Sequence, residues 1–292
     1  KAFRVFDDVR IEGEGVGVRC VSFRYDPDRR LLVSEGPVTA VHDGLVATAR
    51  QGSVETREGL VRFREEVRVG GKDDRGRRLA LTADEVDLRR GGGFSARGAV
   101  VLKTDELLLR GAEAEREVVG TGDRVTARGG VEAILVPRDG SALTSPARAE
   151  GDRLESRRDE DGKSGRLVLS GSPARLDIPP DVGTGGRRAV ANEFEATLVG
   201  GQLSRVVVPG PLVFSESAPP AREGATSPPA ARRLESGNGQ LTFAADGRTI
   251  DAAVLDGGVK LSEGTRLSVR APHASLRGAD ETAVFAGSAE TP

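Results

Sequence analysis

Residues 79–102 read LALTADEVDLRRGGGFSARGAVVL, and this stretch decides the fold. Apolar and polar residues alternate on both sides of the glycines at 91–93, as in two β-strands that each turn one side to a dry interior. Similar units return at 190–212 and 267–287. A repeating unit of this kind cannot bury its apolar side alone and must stack on its neighbours. The sequence therefore predicts an elongated all-β stack.

The composition argues against several classes of protein. Charged residues make up 30% of the 292 residues but nearly balance to a net charge of −2, whereas a nucleic-acid-binding protein would carry a basic excess. Aromatic residues are 3% of the chain, too few for platforms that stack on sugars or bases. No stretch approaches the roughly 20 apolar residues of a membrane-spanning helix. The chain contains no Met, so we expect that a leading segment was removed, and an N-terminal signal or inner-membrane anchor fits this expectation.

Glycine-led landmarks recur along the chain, at intervals of about 30 residues early on and about 40 or more later. They lie at 36–38, 66–67, 98–100, 130–131, 171–173, 210–212, 258–259 and 287–288. The longer intervals contain three predicted loop insertions, at 137–165, 179–188 and 215–233, expected at one rim of the stack. Two strands per unit give roughly 16 strands. We predict two regions, 1–136 and 137–292, or one continuous stack.

No group of residues has the pattern of a catalytic or metal site, so we expect a protein that is not an enzyme and needs no cofactor. His42 and His273 lack other ligands at metal-binding spacing and are predicted to be surface residues. The carboxylates at 159–161 fit a solvated turn. Cys20 alternates with Val16 and Val18 and is predicted to be a buried thiol. The segment 112–119 has helical propensity but no capped apolar stripe, so we predict a strand or an irregular connection there.

The apolar side of the strands is the remaining candidate for function. It either closes into an ordinary core or leaves a slot for acyl chains, which gain about 0.8 kcal/mol per buried methylene. Arg and Lys near the rims would then meet phosphates of a head group. The predicted lipid-binding residues are Val61, Phe63, Leu79, Leu81, Leu102, Leu167, Leu169, Phe214, Val259, Leu261, Leu267 and Val269.

The repeat resembles the OstA-type repeat of the LptA/LptC lipopolysaccharide-transport family. The resemblance rests on residues 79–88, 167–171 and 241–258, with 7–38 closer to the LptC version and the C-terminal half closer to LptA. It implies an open β-jellyroll with lipid acyl chains in its interior, in a periplasmic bridge between the inner and outer membranes. It also implies partners: lipopolysaccharide or a similar glycolipid, and other jellyroll modules joined edge to edge near 3–11 and 282–287. An inner-membrane transporter would supply the energy.

Two alternatives stay open at this stage. A closed β-solenoid scaffold or filament former would use the same repeats with a sealed core and no lipid, although the irregular intervals count modestly against it. A polysaccharide-active β-helix enzyme would need aromatic platforms and a cluster of carboxylates or basic residues on one face, and the sequence lacks both. We therefore expect non-enzymatic binding and conduction of lipopolysaccharide or a related lipid.

Overall fold

The computed structural model describes residues 3–13, 16–42, 44–55, 57, 59–72, 76, 78–89, 91–137, 145–180, 185–218, 230–247, 249–278 and 282–287. The chain divides into two compact units, Lys1–Val131 and Glu132–Pro292. The sequence-based boundary, between residues 136 and 137, lies five residues after this division.

The first unit is built from ten β-strands and the start of an eleventh. They are β1 (Phe3–Gly13), β2 (Val16–Asp26), β3 (Leu31–Ser34), β4 (Val38–His42), β5 (Leu45–Ala49), β6 (Gln51–Glu55), β7 (Leu60–Lys72), β8 (Arg78–Leu88), β9 (Phe94–Thr104), β10 (Leu107–Val119) and β11 (Gly122–Leu135). The segment 112–119 lies in β10, which confirms that it is not a helix.

The second unit contains the end of β11 and ten further strands. They are β12 (Ala147–Arg158), β13 (Gly165–Ile178), β14 (Arg187–Val199), β15 (Gln202–Val208), β16 (Leu212–Glu216), β17 (Arg232–Ser236), β18 (Asn238–Phe243), β19 (Ile250–Glu263), β20 (Leu267–Arg277) and β21 (Thr282–Ala286). The described residues contain no helix, and the prediction of an all-β fold is confirmed.

Short strands in both units are halves of longer bent strands. In the first unit β2 pairs with β3 through one half and with β4 through the other, and β7 pairs with β6 and β5 in the same way. In the second unit β14 pairs with β16 and β15, and β19 with β17 and β18. Counting β3/β4, β5/β6, β15/β16 and β17/β18 as one strand each reduces the 21 strands among the described residues to 17, close to the predicted 16. Neighbouring strands are antiparallel wherever their register is defined, unlike the coils of a parallel β-helix.

Long strands whose register is defined bend near their middle, where the pairing of neighbours shifts at a β-bulge. In β7, Arg64 pairs with Glu85 and Val67 with Ala83, so β7 holds one residue more than β8 across the bend. Interior residues therefore follow two alternating spacings: i, i+2, i+6, i+8 in β7, and i, i+2, i+5, i+7 in β8. The interior residues with these spacings are all buried: Val61, Phe63, Val67 and Val69 in β7, Leu81, Ala83, Val86 and Leu88 in β8, and Phe94, Ala96, Val100 and Leu102 in β9.

Several of the glycine-led landmarks of the sequence lie at these bends. Residue pairs with positive φ lie at 98–99, 129–130 and 257–258, and a buried valine follows each pair. Glycine suits this backbone because it has no Cβ to clash in the left-handed region. The bend in β7 uses Glu65 and Glu66 instead, at φ of 64° and 54°. Their carboxylates are held by Gln51, at 3.0 Å, and by Arg50, at 2.5 Å.

Two further predictions can be compared with the fold. Cys20 is buried as expected, and burial raises the pKa of its thiol. The predicted insertion 137–165 differs from the structure, since most of its second half forms β12. Only Ala147, Ala149 and Leu154 are buried apolar residues there, and two of them are small, so the strand pattern in the sequence is weak. The predicted insertions 179–188 and 215–233 enclose 181–184 and 219–229, which lie outside the described residues.

Candidate functional site: an apolar groove in the second unit

The interior of the first unit is closed along β7–β9. The same side of the sheet is buried on both halves of each bent strand, so the two halves fold toward each other with their apolar sides facing. Between β7 and β9 burial reaches from the bend to the far ends of the strands: Val61 is 2% exposed, Phe63 0% and Leu102 3%. Side chains of both halves also meet around one small cavity that Val18, Val38 and Phe63 help to line. The core of this unit is therefore sealed along β7–β9, whereas Tyr25, Leu32 and Val54, which continue the row of Val61 on β2, β3 and β6, are half-exposed.

The interior of the second unit is buried mainly next to the bends, and further out only the small side chains of Ala133, Ala147 and Ala253 are buried. The buried residues next to the bends form a floor that includes Leu154, Leu169, Ala174, Ala191, Phe194, Val208, Leu212, Val259 and Ala274. Two residues further out on each strand, the interior side chains are mostly half-exposed. The interior of this unit is therefore an apolar groove that opens to solvent above a packed floor.

Two rows of apolar side chains form the walls of the groove. In the first row Leu167, Ala196, Val206, Leu241, Ala253 and Leu276 lie opposite one another on successive strands, and all but the buried Ala253 are half-exposed. In the second row, on the other side of the bend, Leu176, Ala189, Phe214, Leu234, Leu261 and Val269 are all half-exposed. Each row crosses six strands, which at about 4.8 Å per strand spans roughly 24 Å. A wall of this length matches an extended acyl chain.

One lip of the groove is charged. Two residues beyond the second apolar row, Arg187, Glu216, Arg232 and Glu263 lie opposite one another on β14, β16, β17 and β19. The Nε of Arg187 is 3.0 Å from Oε1 of Glu216, and Nε of Arg232 is 3.4 Å from Oε2 of Glu263. Arg232 also reaches Glu216 through Nη1 at 3.9 Å. We call these four residues the charged lip.

The opposite lip is apolar. Beyond the first apolar row, Leu198 pairs with Leu203, and Phe243 pairs with Ile250. All four side chains are half-exposed. We call them the apolar lip. The groove is therefore polar on one side of its mouth and apolar on the other, which is the arrangement expected around an amphipathic ligand.

A cavity of about 850 Å³ lies at the charged lip. Besides Arg187, Glu216 and Arg232 its wall includes Arg148, Asp177, Arg188 and Arg233. Five of these seven charged residues are arginines and two are carboxylates, so the wall carries a positive excess. The volume is within the range of sites that hold a small molecule.

The structure separates the twelve predicted site residues into groups. Val61, Phe63, Leu81 and Leu102 belong to the sealed core of the first unit, where Leu79 is half-buried. Leu169 and Val259 lie in the floor of the groove. Leu167, Phe214, Leu261 and Val269 lie in its two walls, and Leu267 is 44% exposed, paired with Glu263 beyond the charged lip.

Sequence reasoning missed most of the groove. Val206, Leu234, Leu241 and Leu276 in the walls and the whole charged lip were not among the predicted site residues. The alternating spacing of interior positions in successive strands is the signal that would have found the wall residues.

The described residues contain no cluster of His, Cys, Asp and Glu that could hold a metal ion. His273 pairs with Asp256 on the neighbouring strand, and the side chain of His42 lies outside the described set. Within the described part of the chain no helix is long and apolar enough to cross a membrane. Comparison with protein-family models and with curated proteins finds no match to this chain. The resemblance to the LptA/LptC family therefore stays a prediction.

Proposed function

We propose that this protein binds lipid without catalysis and that acyl chains occupy the groove of the second unit. The observation that carries the proposal is the pair of half-exposed apolar rows above a buried floor. An apolar surface of this length is costly to leave in water, and covering it with an aliphatic chain removes that cost. Walls of Leu, Val and Ala with one Phe suit a flexible chain, because they offer apolar contact without a fixed planar shape.

The free energy gained by burying an acyl chain in the groove is large enough for binding. At about 0.8 kcal/mol per methylene, burying some ten methylenes gains about 8 kcal/mol, equivalent to a dissociation constant near 1 μM before the cost of ordering the chain. The ligand we propose is lipopolysaccharide or a related glycolipid, conducted along the groove within a periplasmic bridge from the inner to the outer membrane. Further jellyroll modules and an inner-membrane transporter are the partners proposed with it.

The test uses cis-parinaric acid methyl ester, an uncharged fluorescent chain whose emission rises in an apolar site. Val206 and Val207 are neighbours of the same type and both are half-exposed, but Val206 lies in the first apolar row and Val207 faces outward opposite Gln240. Val206→Arg is expected to weaken binding of the ester by about tenfold or more, since a charged group displaces about two methylenes of contact. Val207→Arg is the matched control and should bind as the natural protein does. Equal binding by both variants, or none by the natural protein, would contradict the proposal.

A second function, as a structural scaffold, is favoured for the first unit by its sealed core. Because Phe63 and its neighbours on β7–β9 are buried to the ends of the strands, lipid is not expected to enter between these strands. We therefore propose that the first unit supports the assembly while the second binds lipid. A photo-crosslinking residue at position 63 in the folded protein should give no lipid adduct, and an adduct there would contradict this division of labour.

A further inference from the structure

The two lips of the groove differ in a way that would orient a bound amphipath. The apolar lip, at Leu198, Leu203, Phe243 and Ile250, gives a polar head group no hydrogen-bond partner from its side chains. The charged lip presents guanidinium and carboxylate groups next to the second apolar row. A lipid lying in the groove would therefore keep its chain against the walls and turn its head toward the charged lip.

At the charged lip the arginines are the accessible partners. The side chains of Arg187 and Arg232 are 46% and 58% exposed, whereas those of Glu216 and Glu263 are 17% and 32% exposed. Arg187 contacts Glu216 through Nε, which lies on one edge of the guanidinium. An arginine guanidinium has five N–H donors in all. A ligand entering the cavity meets guanidinium groups first, and the arginine excess of the cavity wall acts in the same direction.

Arginine favours an anionic head over a neutral or cationic one. Its planar fork matches carboxylate and phosphate oxygens with two parallel hydrogen bonds. Such a head can replace Glu216 or Glu263 as the partner of the same guanidinium, so the carboxylates compete with the ligand. Beside an apolar wall this exchange is stronger than in open water, because fewer water molecules screen the charges.

We propose that the groove selects amphipaths with an anionic head, a carboxylate or a phosphate, and that Arg187 and Arg232 hold this head at the charged lip while the chain runs inward past Phe214 and Leu234. This inference rests on the proposed function, because it assigns the head of the lipid whose chain fills the groove. It predicts both the charge of the ligand and the direction in which it lies.

The experiment compares cis-parinaric acid with its methyl ester at about pH 8, where the acid is ionised. The two probes share one chain and differ in head charge. The natural protein is expected to bind the acid about tenfold more tightly than the ester. The double variant R187Q/R232Q should lose this preference and keep its affinity for the ester. The control R205Q/R270Q removes the same charge from residues outside the cavity wall and should retain the preference.

A further variant gives a change of opposite sign. Glu216→Gln removes a competitor for both arginines and keeps the size of the side chain, so it should strengthen binding of the acid severalfold and leave the ester unaffected. Loss of acid binding in this variant would count against the exchange of partners and overturn the proposal.

The outcomes separate the two proposals. Equal affinity of the natural protein for acid and ester would overturn the anionic selection and leave lipid binding standing. Failure of both probes to bind would overturn the proposed function itself. If the control variant R205Q/R270Q loses the preference for the acid as fully as R187Q/R232Q does, the selection depends on overall charge. That result would refute the role of the charged lip.

Discussion

Replacing Phe63 by alanine tests whether the core of the first unit is closed and tightly packed. Phe63 is 0% exposed, between the interior residues Val61 and Val67, which are 2% and 1% exposed. Truncation of a fully buried Phe removes the transfer free energy of its ring and leaves a cavity, at a cost of about 3–5 kcal/mol in the free energy of unfolding. The surrounding strands pair on both sides along β7, so they cannot close the space freely.

Cys20 provides the assay, since it is the single thiol in the chain and lines the same small cavity as Phe63. Burial raises the pKa of this thiol and keeps it protonated, so it reacts with a disulfide reagent only when the unit opens. Phe63→Ala should accelerate labelling by roughly two to three and a half orders of magnitude. Circular dichroism during urea unfolding should give the same loss of stability. Arg68→Gln, on the exposed side of β7, should change the free energy of unfolding by less than about 0.5 kcal/mol.

A change of less than about tenfold in the labelling rate of Phe63→Ala would refute the reasoning. Such a result would mean that the site of Phe63 tolerates an empty volume and that the first unit is loosely packed or open. The separation of a sealed unit from a lipid-binding unit would then fail.

Three further predictions follow from single contacts. The side chains of Arg116 and Asp123 are 6% and 5% exposed, so Arg116→Met, which removes this buried ion pair, should lower the free energy of unfolding by about 3–5 kcal/mol, measured by urea unfolding. Gly257→Ala should lower the melting temperature more than Gly258→Ala: φ is positive at both, but only at 257 would the new Cβ lie 2.9 Å from the Cα of Gly237. The Ser164 hydroxyl and the backbone amides of Ser164 and Lys163 donate hydrogen bonds to Asp161 and lower the pKa of its carboxyl below the ordinary value of 3.8. The ionised Asp161 should therefore stabilise the turn between β12 and β13 fully above pH 3.8, and this stabilisation should be lost as the pH falls through the lowered pKa. Asp161→Asn should lose this acid-dependent step when amide exchange in the turn is followed by NMR.

Much of the fold could be predicted from the sequence because apolar and polar residues alternate within each half of a bent strand. In β8 the parity of the buried residues changes at the bend, between Ala83 and Val86, whereas in β7 it is kept. Val61, Phe63, Val67 and Val69 share one parity, since the bulge in β7 shifts the interior pattern by a whole pleat. The glycine-led landmarks were visible as a recurring feature, and the structure shows that those at 98–100, 130–131 and 258–259 mark bends. Their role could not be read from the sequence, because a positive φ at Gly98 or Gly130 is a property of the folded backbone.

The openness of the groove could not be predicted, because it depends on how closely the two halves of the sheet approach each other. Val61 and Leu261 stand in the same alternating pattern, yet the first is sealed and the second is half-exposed. The charged lip was also hidden. Arg187, Glu216 and Arg232 are far apart along the chain, and only the register of β14, β16 and β17 brings them together.

The most direct measurement of the central claim is photo-crosslinking in the groove wall. A photoreactive residue placed at Phe214 faces into the groove, and the same residue at the adjacent Val213 faces outward, where it pairs with Val190 and Glu235. The folded protein would be expressed in a lipopolysaccharide-producing cell and irradiated. We predict a lipid adduct at position 214 and none at 213. Equal adducts at both positions, or no adduct at 214, would contradict a lipid-binding groove in the second unit.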